Sequence, residues 1–157
     1  MKIYLAGPLF SPSQRDFLDA AARRLRDAGF ECFVPHQEAA RIASLTARSV
    51  FDLDYREGLV SANALVAWLD GPAVDDGTAC EIGIYFGLLQ QGARWRKGIL
   101  GLVTDLRLQR RRDAVEHAGL NLFLAGTIEN AGAICWSLED VLARLGVYRD
   151  ELERGSG

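Results

Sequence analysis

The sequence predicts an α/β domain: a parallel sheet of four to five strands with helices on both faces. Three observations predict it. Short apolar runs alternate with segments of helical period, the pattern of a parallel sheet with crossover helices. Glycine or proline closes most of the runs, as at Gly7-Pro8 and Pro35. The run Ala64–Leu69 leads into the acidic loop Asp75-Asp76-Gly77 and then an apolar helix. That strand, loop and helix unit is where open α/β sheets place their chemistry.

The elements follow in order. Ile3 to Ala6 is a short apolar run ended by Gly7-Pro8, and it reads as a first, central strand. Ser11 then offers an N-cap with Pro12 at the first helical position. Phe17, Leu18, Ala21, Leu25 and Ala28 recur at helical spacing until Gly29 stops the helix. Phe30 to Val34 is the second strand. Glu38 to Ser61 reads as mostly helical, with Ala43, Ala47, Phe51, Leu53 and Leu59 toward the core. Ala64 to Leu69 is the third strand, and Thr78 to Gln91 the next helix, ended by Gly92. Gly98 to Thr104 is the fourth strand. Asp105 to Gly119 is charged and reads as a loop with some helix, and Leu120 to Ala125 as a short apolar patch. Gly132 to Trp136 is a short final strand. Ser137 caps the last helix, whose apolar face is Leu138, Val141, Leu142 and Leu145. Four to five strands in one domain resemble the flavodoxin-like order more than a full dinucleotide-binding fold.

The chain has 157 residues, enough for one domain with a real core. Residues 1–150 are expected to form that domain and 151–157 a flexible tail. The net charge of −3 gives no electrostatic footprint for a nucleic acid polymer, and no stretch reaches the apolar length of a membrane helix. The basic run Arg110-Arg111-Arg112, near Arg107, reads as a solvated helix face. Cys32, Cys80 and Cys135 form no close-spaced pair, which fits reduced thiols in a cytoplasmic protein. Cys80 has no histidine near it in sequence and reads as a small hydrophobe. With only His36 and His117, no zinc spacing exists, and no metal or other cofactor is expected. The phosphate-binding and nucleophile-elbow motifs are absent from the sequence.

Asp75 and Glu81 are the residues of chemical interest. Two carboxylates around one crevice are the minimal kit for cleaving a glycosidic bond. Thr78-Ala79-Cys80-Glu81 also fits a capping box, in which Glu81 would only satisfy backbone donors at a helix start. Three features favour chemistry. The loop follows a central strand and so sits at the sheet's carboxyl edge. Tyr4 lies in a second strand of the same kind, followed by its own Gly-Pro turn. Asp52 and Asp54 add acidic groups just before the third strand. So many carboxylates in one region repel one another without a purpose.

Four stretches resemble the nucleoside 2-deoxyribosyltransferase family. They are Lys2-Ile3-Tyr4-Leu5-Ala6-Gly7-Pro8-Leu9-Phe10, Ala62-Asn63-Ala64-Leu65-Val66-Ala67, the D-x-G-T-x-x-E-x-G loop from Asp75 to Gly83, and Leu120-Asn121-Leu122-Phe123. The resemblance implies a flavodoxin-like domain in which a glutamate attacks the anomeric carbon of a sugar. Glu81 matches that glutamate, and Tyr4 the tyrosine that holds it in place. Asp75 matches the aspartate that contacts and helps protonate the nucleobase. Asp54 stands for a further acid, with Asp52 as the alternative. Gly7, Phe10 and Gly77 fall in the matched stretches and are expected at the substrate. Asn121 matches an asparagine that reaches into a neighbouring subunit's site, with Phe123 where an apolar residue lines the base.

The implied function is transfer of 2-deoxyribose between nucleobases through a covalent glutamyl–sugar intermediate. The implied partners are small nucleosides and bases, and the implied assembly a homo-oligomer with shared sites. Two other readings stay open. A 2′-deoxynucleoside 5′-phosphate N-hydrolase would need a phosphate pocket, for which Ser11, Ser13 and Arg15 are available. A non-catalytic nucleotide-binding module would use Glu81 only as a cap.

Overall fold

Five strands pair in parallel in the order β2-β1-β3-β4-β5. They are β1 (Lys2–Ala6), β2 (Glu31–Phe33), β3 (Ala64–Trp68), β4 (Gly98–Leu102) and β5 (Gly132–Cys135). The computed structural model describes residues 1–111 and 119–155. The strand order is that of the flavodoxin-like fold, with β1 and β3 adjacent where the order reverses. Crevices at such a switch point lie outside the carboxyl ends of the strands.

The inner strands are buried on both faces, which is why they read as unbroken apolar runs. Successive side chains alternate between the two faces. Ile3, Leu5 and Val66 face the layer formed by α1 (Pro12–Asp27) and α7 (Leu138–Arg154), where Leu18, Leu25, Val141 and Leu145 meet them. Tyr4, Leu65 and Ile99 face the other layer. That layer holds α4 (Asp76–Leu89) and α6 (Leu122–Ala131), with Ile82, Tyr85 and Ile128 fully buried. Full burial of one such aliphatic side chain is worth about 1.5–3 kcal/mol, so the two layers fix the sheet between them.

Helix α1 begins as its sequence predicts. Ser11 Oγ accepts from the Gln14 amide, and the Gln14 side chain accepts from the Ser11 amide. Gly29, at φ 87°, takes the left-handed turn that ends the helix. Ser137 caps α7 through a bond from the Asp140 amide.

Four expectations need correction. The helical stretch after β2 starts earlier and is broken. It comprises α2 (Pro35–Ala39), α3 (Ala47–Phe51), a π-helical segment (Asp52–Gly58) and a short 3-10 turn (Leu59–Ser61). Leu53 and Leu59 are buried, whereas Ala43 and Ala47 are exposed and Phe51 largely so. Ala43 lies in the non-helical stretch between α2 and α3, and α3 is a short surface helix, so a continuous 3.6-residue period misplaces these side chains. From Leu122 on, the apolar patch at Leu120 to Ala125 belongs to α6, in which Ala125 and Ile128 point inward while Leu122 and Phe123 face out. Two exposed apolar residues at the helix start conceal its period. Finally, α7 continues through Arg154, so Glu151 to Arg154 are helical rather than a tail. Of the charged segment after β4, α5 (Leu106–Arg111) is helical. Arg112 and the side chains of Arg110 and Arg111 lie outside the described residues. No described helix is long and apolar enough to cross a membrane.

Candidate active site

The site is built where β1, the π-helical segment and α4 meet. Tyr4 is the third residue of β1 and has no exposed surface. It lies opposite Phe33 on β2 and Leu65 on β3. Its ring stacks on Phe33 with centroids 5.3 Å apart and planes 15° apart. The strand's alternation aims the phenol at α4. There its hydroxyl donates to Glu81 Oε1 at 2.5 Å.

Helix α4 begins at Asp76, with Asp75 as its N-cap. Asp75 Oδ2 accepts from the Thr78 amide at 3.0 Å and from the Thr78 hydroxyl at 3.1 Å. Thr78 is buried, and the clasp satisfies its polar groups. The capping role therefore belongs to Asp75, and the capping-box reading of Thr78 and Glu81 does not hold. Glu81 lies in the second turn, beyond the exposed amides. Its recorded hydrogen bond goes to Tyr4, 77 residues away in sequence.

The environment of Glu81 raises its pKa to about 7. Burial is the main cause; the Tyr4 hydroxyl pulls the value down, and the charges of Asp54 and Asp75 push it up. A helix start favours an ionised carboxylate. Burial outweighs that effect, because the macrodipole acts mainly within the first turn. The Tyr4 hydroxyl is itself raised well above its ordinary value by burial, then by the charges of Glu81 and Asp54. It therefore stays protonated as a donor.

Asp54 sits on the π-helical segment, half-buried, and burial raises its pKa to about 6. Asp52, two residues earlier, is engaged elsewhere. Its carboxylate accepts from Arg48 at 2.9 Å and from Arg56 at 3.0 Å, and these bonds hold it below the usual carboxylate range. Of the two acids, Asp54 is the one whose charge is felt by Tyr4 and Glu81.

The other expected residues are spread more widely. Gly7 is buried, and a Cβ there would meet Leu18 at 2.9 Å and Trp68 at 3.2 Å. It permits close packing of the loop after β1. Phe10 stands 77% exposed in that loop. Gly77 is in the first turn of α4, beside Asp75 Oδ2. Asn121 caps α6, accepting from the amides of Phe123 at 3.0 Å and Leu124 at 3.2 Å. Phe123 is 86% exposed.

Asn121 and Phe123 line a cavity of about 530 Å³ with Asp76, Ala79 and Gly83. Ala79 and Gly83 are each two residues from Glu81, which places them roughly 200° around the helix from it. Glu81 itself is not among the residues that line this cavity. Two contributors were not foreseen: Phe33, which stacks on Tyr4, and Gly58, which closes the π-helical segment against the Tyr4 ring. A glycine inside a helical stretch was the one sequence signal for the latter.

A flavodoxin-like domain with a hydrogen-bonded, partly protonated glutamate at its switch point has the equipment for acid–base and nucleophilic chemistry. The chain belongs to the nucleoside 2-deoxyribosyltransferase family, whose model matches residues 3–126. Members of that family are glycosyltransferases or N-glycosidases acting on nucleosides. Solved structures share the fold. A conserved protein from Enterococcus faecalis V583 is 27% identical over 91% of this chain and 95% of its own, with a TM-score of 0.72. A 2-deoxyribosyltransferase from Bacillus psychrosaccharolyticus is 23% identical over 90% of each chain, with a TM-score of 0.64. A CMP N-glycosidase from Clostridium botulinum is 17% identical over 94% of this chain and 100% of its own, with a TM-score of 0.52. No curated protein matches the chain.

Proposed function

We propose that the protein moves 2-deoxyribose between nucleobases, with Glu81 as the nucleophile. The observation that carries this reading is the Tyr4–Glu81 hydrogen bond beside Asp54 and Asp75. A carboxylate held at one rotamer by a buried donor is pre-organised for attack.

In the first step an oxygen of ionised Glu81 bonds to C1′ of the deoxynucleoside. The C1′–N bond breaks through an oxocarbenium-like transition state, in the manner of a retaining glycosidase. The electron pair stays on the base nitrogen, which takes a proton. Asp75 contacts the base and helps pass that proton to it. Asp54, with a pKa of about 6, is the acid best matched to exchanging protons near neutral pH. An acceptor base then attacks C1′ from the other side, loses its proton to the same carboxylates and frees Glu81. A 2′-hydroxyl would withdraw electrons and destabilise the positive charge at C1′, which favours a deoxy sugar.

The residues available for a 5′-phosphate are otherwise engaged. Ser11 Oγ is the cap of α1 and bonds Ser13, and Arg15 Nη1 donates to the Leu9 carbonyl at 2.8 Å. This supports a nucleoside rather than a nucleotide as substrate. Asn121 and Phe123 line a cavity that the chain's own Glu81 does not line, which supports their use in a neighbouring copy's site and so a homo-oligomer. The small substrates, and three cysteines free of disulfides, fit a role in cytoplasmic nucleoside salvage.

The test is incubation with a 2-fluoro-2-deoxynucleoside followed by intact mass and peptide mapping. A sugar-sized adduct on Glu81 is expected. Supplied with a deoxynucleoside and a foreign base, the enzyme should yield a new nucleoside. Free deoxyribose alone would assign it to hydrolysis.

A further inference from the structure

We propose that Gly58 is a positioning residue for the Tyr4–Glu81 pair: its lack of a side chain lets the Tyr4 ring seat against the end of the π-helical segment and keeps the phenol on the carboxylate. This inference rests on the reading of Glu81 as the nucleophile.

The geometry is close. A Cβ on Gly58 would lie 2.5 Å from Tyr4 Cε2, 2.8 Å from Tyr4 Cδ2 and 2.9 Å from Phe33 Cε1. Real side chains do not approach this near, so something must move. The backbone at Gly58 has φ −89° and ψ −85°. The lack of space for a Cβ is what calls for glycine here. The atoms it faces are ring carbons rather than the free end of a flexible chain. Tyr4 is held on a central strand between β2 and β3, and its ring is stacked on Phe33. Gly58 fills the junction where the two rings meet the turn.

A methyl group at Gly58 pushes the phenol ring, and with it the hydroxyl whose bond to Glu81 spans only 2.5 Å. Three ionisable groups act on the Glu81 carboxylate: Tyr4 from β1, Asp54 from the π-helical segment and Asp75 from the loop ahead of α4. Only Tyr4 stabilises the ionised form. Its displacement removes the one donor and leaves the two acids in place. Glu81 then holds its proton to higher pH.

The experiment is a carbon-13 NMR titration of the Glu81 carboxyl, assigned by the signal missing from Glu81→Gln. Wild type, Gly58→Ala, Tyr4→Phe and the double variant are compared. Gly58→Ala should raise the Glu81 midpoint by about one unit, the scale of one hydrogen bond to a charged group. Tyr4→Phe should raise it similarly, and the double variant should go no further. A loss of packing alone would lower the melting temperature without moving the midpoint. An unchanged or lowered midpoint in Gly58→Ala overturns the proposal. If that variant does not fold, Phe33→Leu/Gly58→Ala gives the ring room to retreat and is titrated instead. Failure of both to fold also overturns it, since Gly58 would then serve the fold rather than the pair. The titration needs no turnover, so it is independent of the adduct experiment that tests the nucleophile.

Discussion

Tyr4 and Glu81 are 77 residues apart in sequence, and a 2.5 Å hydrogen bond joins them. One side chain comes from the central strand and the other from the second turn of a helix. The bond opposes the burial that drives Glu81 toward its neutral form. Without it, a carboxylate in this position would mostly carry a proton at neutral pH.

Tyr4→Phe keeps the ring and removes the donor. A hydrogen bond to a charged group is worth about 1.5–3 kcal/mol, so kcat/KM should fall roughly 10- to 100-fold. The melting temperature should fall by several degrees at most, because the buried carboxylate loses its donor. Steady-state kinetics beside thermal unfolding checks both. An unaltered kcat/KM would remove Tyr4 from the mechanism.

Glu81→Gln should nearly abolish turnover and yet stabilise the fold at alkaline pH. The sign follows from linkage. The folded-state pKa of about 7 lies above the ordinary value of 4.5. Between those values the unfolded chain has released the proton that the folded chain still binds, so stability falls as pH rises. The loss levels off above pH of about 7 and is about 3 kcal/mol. Glutamine carries no such penalty. The variant should therefore unfold at a higher temperature than wild type at about pH 8, and the gap should shrink toward about pH 4.5. Melting curves across that window decide it, and a constant gap would refute the linkage.

Catalysis should rise with pH as Glu81 ionises, with a midpoint near its pKa of about 7. The Asp54 charge is one cause of that elevation. Asp54→Asn should shift the rising limb of kcat/KM to lower pH. Asp52→Asn should leave the limb where it is, because Asp52 is paired with Arg48 and Arg56 at the surface. A matched pair of pH profiles makes the comparison. Equal shifts in the two variants would contradict the placement of Asp54.

Asp75 serves the fold as well as the proposed chemistry. Asp75→Ala removes the cap of α4 and should cost about 1 kcal/mol, within the usual range of 0.5–2 for such caps. Asp75→Asn retains a side-chain acceptor and should be nearly as stable as wild type, but impaired in releasing the base. Denaturant unfolding separates the two variants. Equal destabilisation would mean that charge, not the cap bond, is what matters at this position.

Much of this architecture is legible in the chain. The five strands lie within a residue or two of their apolar runs, because inner strands of a parallel sheet are buried on both faces. The caps at Ser11 and Ser137 follow from local chemistry. The π-helical segment was not legible, since its sequence, Asp52 to Gly58, has an ordinary helical composition. Neither was the start of α4: Asp75 and Thr78 both make plausible caps, and the choice depends on which one's neighbours are buried. Helix α6 was obscured because Leu122 and Phe123 break the pattern by facing out.

The residues Tyr4, Asp54, Asp75 and Glu81 could be named from the chain because their types and the strand–loop–helix rhythm place them near one sheet edge. Sequence alone thus determined the fold class and the chemical inventory. Tertiary structure decided which of those groups meet. It gave Tyr4 to Glu81, Thr78 to Asp75, and Asp52 to two arginines. It also set Asn121 and Phe123 on a cavity that Glu81 does not line. The reason is physical: local propensity acts over a few residues, whereas burial, which raises the pKa of Glu81 and Asp54, exists only once distant segments have packed together.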